Sequence, residues 1–315
     1  MKALIYRKFG DPSVLEWVEN WPPPVVSPNS VLIRSIAGGV NPKDVLLRKG
    51  KFSRTLARDP LPRVVGLDVA GEVVEVGKDV SNLAVGDLVF GMTNRFSGGI
   101  HSELATLDAN EVACAPSDIS VVEASSIPLA AQTALQALRD HCKVVAGQRV
   151  LINGASGGVG HFAVQIAKTL GAEVHAVCGP SHVDFVTSLG ADVVHDHMVE
   201  PAPTIASSFH SVFDVFGRFS RRNFAEQLGT RGIFVSTVPK PATLGGEFLA
   251  HIGLNKRSRL VQVKSSSTDL SQIREWVETN QLRPHVDEVY PAARADEAHR
   301  HIEGRHTTGK IVLRF

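Results

Sequence analysis

Between Arg149 and Ala172 the chain reads RVLINGASGGVGHFAVQIAKTLGA, and this stretch decides the fold. Apolar residues run up to Asn153, a tight run of small residues follows from Gly154 to Gly160, and an apolar helical pattern starts inside that run. Ala155, Gly157 and Gly160 stand at the spacing G-x-G-x-x-G, with alanine in the first slot. Small residues at these places let the backbone turn sharply, approach a pyrophosphate and pack the helix closely on the strand, with the phosphates on the helix N-terminus.

Outward from this turn the alternation continues. EVHAVCG is followed by the helical run HVDFVTSLG, VFDVFG by RNFAEQLG, and GIFVSTV by a loop, a βαβ rhythm that calls for a parallel sheet covered by helices. Upstream, EASSIPLAAQTALQALRDH (Glu123–His141) reads as one helix on a core. Before Glu123 the chain is different: MKALIY, SVLIRSIAGG, VVGLDVAGEVVEVG and VGDLVFGM are short strands bounded by Gly, Pro, Asn or Asp. The last fifty residues mix helices (DLSQIREWVETNQL, DEAHRHIEG) with the strands VDEVY and GKIVLRF, the latter free to rejoin the β-rich domain. The expected fold class is α/β, a β-rich domain interrupted by a doubly wound parallel-sheet domain.

Composition excludes several function classes. Lys+Arg 33 against Asp+Glu 32 leaves a formal charge of +1, so no global field recruits nucleic acid or an anionic membrane. Cys114, Cys142 and Cys178 are odd in number and far apart, which reads as free thiols in a reducing compartment. Charges interrupt the N-terminal stretch where a secretion signal needs an apolar core, and no segment approaches a membrane span, so the expected location is the cytoplasm.

The second strand of the alternation ends in Cys178, Gly179, Pro180, Ser181 and His182, with no acid until Asp184. NAD enzymes usually place a carboxylate there on the ribose 2′-hydroxyl. Without it nothing repels a 2′-phosphate, and Ser181 and His182 can donate to one, which favours NADP(H) over NAD(H).

The segments AGGVNPKDVLLRKG, PRVVGLDVAGEVVEVGKDVSNLAVGDLVFG, SSIPLAAQTALQAL, GQRVLINGASGGVGHFAVQIAKTLGA, FDVFG and HTTGKIVLRF together resemble the medium-chain dehydrogenase/reductase superfamily, and within it the zinc-independent quinone oxidoreductase and enone reductase branch. The resemblance implies a GroES-like catalytic domain (1–122, completed by 267–315) and a Rossmann NADP(H)-binding domain (123–266). It implies hydride transfer from NADPH to a quinone or an α,β-unsaturated carbonyl, with a homodimer paired near Arg259 to Lys264. Enoyl-thioester reduction, or a non-catalytic cofactor-binding protein on the same fold, are the alternatives.

Matched position by position, Asn41 resembles the family asparagine beside the nicotinamide and the substrate oxygen, with Asp44 buttressing its loop. Thr133 resembles the threonine at the nicotinamide ribose or carboxamide. Ala155, Ser156, Gly157, Gly158, Val159 and Gly160 form the pyrophosphate turn, Gly179, Ser181 and His182 the ribose end, Gly217 the adenosine side, and Ser236 and Thr237 the nicotinamide end. Zinc alcohol dehydrogenases of the superfamily place a cysteine where this chain has Asn41 and a His-Glu pair at Leu67-Asp68, so no zinc is expected. His195 with His197 and His299 with His301 lack the partners of a zinc site and read as solvated surface histidines. Some enoyl reductases of the superfamily use a tyrosine soon after the Asn-Pro-x-Asp motif as proton donor. Here the nearest aromatic is Phe52, and water is the expected proton source. The basic residues Lys49, Lys51, Arg54, Arg58 and Arg63 read as a solvated loop face.

Overall fold

Alternating apolar and polar residues in the N-terminal third fold as antiparallel strands, because one face of each is buried and the other wet. The computed structural model describes residues 1–56, 59–229, 231–239 and 257–315. Contacts divide them into two units, one of residues 1–132, 264–280 and 284–315, the other of residues 133–263 and 281–283.

The first unit holds a small sheet of β1 (Ala3–Tyr6), β2 (Leu15–Val18) and β4 (Arg63–Val64), and a larger one. The larger is built from β3 (Ser30–Val40), β5 (Asp68–Val76), β6 (Leu88–Met92), β7 (Leu104–Asp108), β8 (Val112–Cys114), β15 (Val286–Pro291) and β16 (Lys310–Arg314). Its order is β15-β16-β3-β5-β6-β8, with β7 also on β3. The terminal strand β16 rejoins the β-rich unit on β3: Ile311 lies opposite Val40 and Arg314 opposite Ala37. That register carries Lys310 to Asn41, which caps helix α1 (Pro42–Arg48).

The second unit is one parallel sheet, ordered β11 (Val193–Asp196), β10 (Glu173–Cys178), β9 (Arg149–Asn153), β12 (Ser211–Asp214), β13 (Ile233–Ser236) and β14 (Ser258–Leu260). Strand order reverses at β9, so the glycine turn after Asn153 sits at the topological switch point, where such sheets bind ligands. Leu151, Val177, Val212, Phe224 and Phe234 are fully or almost fully buried in one core cluster of this unit.

The single helix expected over Glu123–His141 is three pieces. Helix α2 (Val121–Ala124) stops, α3 (Pro128–Leu135) restarts, and Gln136–Cys142 follows as a π-helix closed by Lys143 at φ 54°. Pro128 explains the break: its ring cannot continue a helix from Ala124 but suits a first turn, where an N–H has no intrahelical partner. Among the described residues no helix is long and apolar enough to cross a membrane.

Candidate functional site

In the second unit, β9 delivers the chain into the turn and α4 (Gly160–Thr169) carries it away. Gly154 adopts φ +87°, a conformation that favours glycine, so the sharp turn belongs to Gly154 and the alanine slot beside it needs no such freedom. A side chain at Gly160 would collide with Gly154 O and Ala155, whereas at Gly157 a Cβ would meet only Gly154 O at 3.6 Å. Gly160 is therefore required by helix-on-strand packing, and Gly157 leaves open the space that a pyrophosphate needs. Ser156, Gly157, Gly158 and Val159 are half-buried, while Ala155 is fully buried.

Asp214, at the end of β12, secures the neighbouring loop. Its Oδ1 accepts Asn153 Nδ2 at 2.8 Å and Gly217 N–H at 3.1 Å, and its Oδ2 accepts Phe219 N–H at 2.8 Å. Gly217 has φ +67°, and a Cβ there would strike Val238. Ser236 is fully buried and accepts Val238 N–H, and Thr237 donates to Val215 O at 2.9 Å. The Thr237 hydroxyl thus ties the end of β13 to the loop after β12, and the Ser236 hydroxyl shapes the turn that follows β13. Thr133 lies in α3 and is 5% exposed.

At the end of β10, Gly179 leads into the single turn Pro180–His182, with Ser181 exposed and His182 half-buried. His197, whose role the sequence did not reveal, comes beside them from the turn after β11. A Cβ on Gly179 would lie 3.5 Å from His197 Cε1 and 3.8 Å from His182 Cδ2, so two imidazoles flank this glycine. His197 Nδ1 and its backbone N–H both donate to Cys178 O, at 2.9 and 3.0 Å, which places a proton on Nδ1 and leaves Nε2 for another contact. The nearby Asp196 carboxylate accepts Met198 N–H.

The first unit gathers a buried polar cluster around Asn41. Lys310 Nζ donates to Asn41 Oδ1 at 2.6 Å and Val40 O at 3.3 Å and stands 3.5 Å from Asp68 Oδ2. Asn41 Nδ2 donates to Asp68 Oδ2 at 2.9 Å and Gly39 O at 3.3 Å. Both amide hydrogens are committed, so the hydrogen-bonding capacity left on the Asn41 side chain is the second lone pair of Oδ1. Leu129 N–H donates to Asp68 Oδ1, and Asn41 N–H to Asp44 Oδ2. Burial pushes Asp68 above the usual carboxylate range, against the pull of Lys310, and pushes Asp44 up to about 7. Gly39 permits the close approach: a Cβ there would lie 2.8 Å from Asp68 Oδ2 and 3.3 Å from Lys310 Nζ.

The structure corrects two expectations drawn from the sequence. His195 is only 10% exposed in its side chain and bonds His175 and Glu200, and His299 is fully buried, because these residues face the interiors of their units. Of the basic loop, Lys49, Lys51 and Arg54 are exposed, Lys49 pairing with Glu303 at 2.6 Å, whereas Arg63 is buried and bonded to Leu56 O, and Arg58 lies outside the described residues. Lys43 is half-buried, with Nζ 4.4 Å from the centre of the Phe96 ring, and burial lowers its pKa. All three cysteines are free thiols, and no group of three or more His, Cys, Asp or Glu among the described residues is arranged for a metal ion.

Comparison with known proteins fits both units. Residues 27–117 match the alcohol dehydrogenase GroES-like domain, and residues 189–313 match a family model described as zinc-binding dehydrogenase. A chloroplast envelope quinone oxidoreductase homolog of Arabidopsis thaliana is 31% identical over 324 residues, covering 99% of this chain and 98% of that protein. The chloroplastic NADPH-dependent alkenal/one oxidoreductase of the same plant is 30% identical, covering 99% of this chain and 79% of its own length. The structure of the quinone oxidoreductase from Coxiella burnetii superposes with a TM-score of 0.89 at 29% identity, covering 100% of this chain and 99% of that one.

Proposed function

Since the chain belongs to the medium-chain dehydrogenase/reductase superfamily, in its quinone oxidoreductase branch, and is an oxidoreductase, we propose that it reduces a quinone or an α,β-unsaturated carbonyl compound with NADPH and without zinc. The observation that carries this reading is the end of β10, where His182 and His197 flank Gly179, Ser181 follows exposed in the same turn, and the strand brings no carboxylate. A 2′-phosphate there would meet two imidazoles and a hydroxyl and no carboxylate from β10 itself, the nearby Asp196 being turned to Met198 N–H. The similarity to an NADPH-dependent alkenal/one oxidoreductase supports the same cofactor.

When bound, the dinucleotide supplies hydride to the electron-poor carbon of the substrate. The turn Ser156–Gly160 receives the pyrophosphate on backbone amides, and Gly157 keeps the approach open. Asp214 holds Asn153 and Gly217, which fixes the walls of that turn. In the first unit Lys310, Asp68 and Asp44 hold the Gly39–Pro42 loop and the Asn41 amide in one orientation. Catalysis rests on proximity and orientation, and water supplies the proton that completes the reduced product.

Zinc does not suit these residues. Asn41 and Asp68 already share the Lys310 ammonium, and zinc would need thiolate, imidazole or carboxylate donors that this loop does not bring together. A conjugated acceptor delocalises the incoming charge, so the loss of a Lewis acid costs it less than it costs a simple carbonyl. We place the protein in the cytoplasm as a homodimer, with β14 as the pairing edge of the parallel sheet.

The test is steady-state oxidation of NADPH and NADH by the purified protein against quinones, enones and a crotonyl thioester. Turnover with NADPH and a quinone or enone is expected. Tight cofactor binding with no turnover on any acceptor, or turnover on the thioester alone, overturns the reading.

A further inference from the structure

Glu200, His195, His175 and Glu173 stand in a row at the β10–β11 side of the parallel sheet. His195 Nδ1 is 2.7 Å from Glu200 Oε2, His195 Nε2 is 3.0 Å from His175 Nδ1, and His175 Nε2 is 3.1 Å from Glu173 Oε1. The row has three gaps, and each needs one proton to become a hydrogen bond. Ionised carboxylates bring none and two neutral imidazoles bring two, so one of the three gaps is left with two lone pairs facing each other. A third proton fills every gap. His195 then donates from both nitrogens, to Glu200 and to His175, while His175 stays neutral and donates Nε2–H to Glu173.

We propose that this row holds three protons, and so one positive charge, and that the charge positions the Asp196–Glu200 turn beside the cofactor's adenosine end. Burial depresses the basicity of His175, in keeping with its place as the neutral member. Glu200 closes the turn, its N–H bonded to Asp196 O at 2.8 Å, and the same turn carries His197 onto Cys178 O beside Gly179. Loss of the third proton leaves one gap of the row without a hydrogen bond and loosens the turn from its far end.

The surroundings contain no competing partner for the two rings among the described residues. From β9, Arg149 Nε bonds Glu173 at 2.9 Å, and Arg149 N–H in turn bonds His210 Nδ1. The Phe209 ring stands edge-on to His175 with centroids 5.1 Å apart. Asp196 is turned to Met198 N–H, the Cys178 thiol is held un-ionised by a pKa pushed up to about 11, and Lys168 is taken by Asp192. His195 and His175 are the only imidazoles in the row, and both are shielded, at 10% and 7% side-chain exposure.

The consequence for the cofactor rests on the NADP(H) reading above, but the row itself is testable without it. Glu200→Gln separates charge from geometry, because the amide donates to a bare His195 Nδ1 and two imidazole protons then fill the row. Imidazole nitrogen–proton NMR of the full-length cofactor-free protein, at about pH 6 and about pH 8.5, spans the ordinary histidine range. At the lower pH three ring N–H groups are expected in the wild-type row, two of them on His195, and two in Glu200→Gln. At the higher pH the His197 Nδ1–H signal is expected to broaden in the wild type and to stay sharp in the variant. Over the same interval the Kd for NADPH should rise about tenfold more in the wild type than in Glu200→Gln, as loss of one charge-assisted bond implies. Ionisation of the 2′-phosphate is common to both proteins and cancels. A single N–H on His195 at about pH 6, or a variant whose His197 signal follows the wild type, overturns the proposal. If NADPH binds no better than NADH, the cofactor reading fails and the His197 signal still decides the row.

Discussion

Replacing Lys310 with Met removes the ammonium and keeps the aliphatic stem that β16 brings into the first unit. What remains is a fully buried Asp68 carboxylate with two donors, Asn41 Nδ2 and Leu129 N–H, and an Asn41 Oδ1 that has lost its 2.6 Å partner. Breaking one side of a buried pair typically costs about 3–5 kcal/mol, because the surviving charge stays uncompensated. Neither Lys310, at 3% exposure, nor Asp68, at 0%, can turn to water, so the upper part of that range applies. In the double variant Lys310→Met, Asp68→Asn no charge remains, and we expect at least about 2 kcal/mol of the loss to return as a coupling energy. Urea unfolding followed by tryptophan fluorescence suits the measurement, since Trp17, Trp21 and Trp276 all lie in the first unit. A loss below about 1 kcal/mol for Lys310→Met, or strictly additive single and double variants, refutes the reasoning.

Other consequences follow from the same geometry. Gly157→Asp meets no steric obstacle but sets a carboxylate against the pyrophosphate: NADPH affinity should fall by about 2–4 kcal/mol with folding intact, read by calorimetry and circular dichroism. Gly160→Ala collides with Gly154 O and should cost fold stability together with binding, so thermal unfolding separates the two variants. Asp44 keeps a proton in the folded state up to about pH 7, whereas unfolded it releases one near the ordinary carboxylate value of about 4. The folded state therefore binds the extra proton between those values, and this group's contribution to stability falls as pH rises through that window. Asp44→Asn removes the effect and should make the rise of stability with pH steeper by about 1.4 kcal/mol per pH unit there, measured by urea titrations at several pH values. His101 and His299, held down to about 3 by burial, act oppositely: unfolding takes up their protons below about pH 6.5, so stability drops on acidification. His197→Asn should reduce the ratio of NADH to NADPH dissociation constants about three- to tenfold by loss of one phosphate contact, and an unchanged ratio removes His197 from the site.

The parallel-sheet unit was legible because its signals are local. A strand, a glycine turn and a helix lie within the two dozen residues from Arg149 to Ala172, and backbone geometry alone demands Gly154 and Gly160. The Asn41 cluster was only partly legible. Asn41 and Asp44 sit in one turn and could be singled out together, but Lys310 reaches them across 269 positions through the β16–β3 register, which periodicity does not encode. The histidines failed for the same reason. His195 and His197 looked like a polar surface pair, yet one turns inward to His175, 20 positions away on the neighbouring strand, and the other folds back onto Cys178 O. Pairing of β10 with β11 made those contacts, and a side chain's alternation along one strand says nothing about what the next strand brings beside it.

The claim at the centre of this account is hydride transfer from NADPH to a conjugated acceptor with solvent as the proton source. It is tested most directly by single-turnover reduction of an enone in ordinary water with NADPH deuterated at the transferring position of nicotinamide C4. One deuterium on the β-carbon of the saturated product is the predicted result, and the same reaction run with unlabelled NADPH in heavy water should place deuterium on the α-carbon alone. Solvent deuterium at the β-carbon, or cofactor label absent from the product, contradicts it.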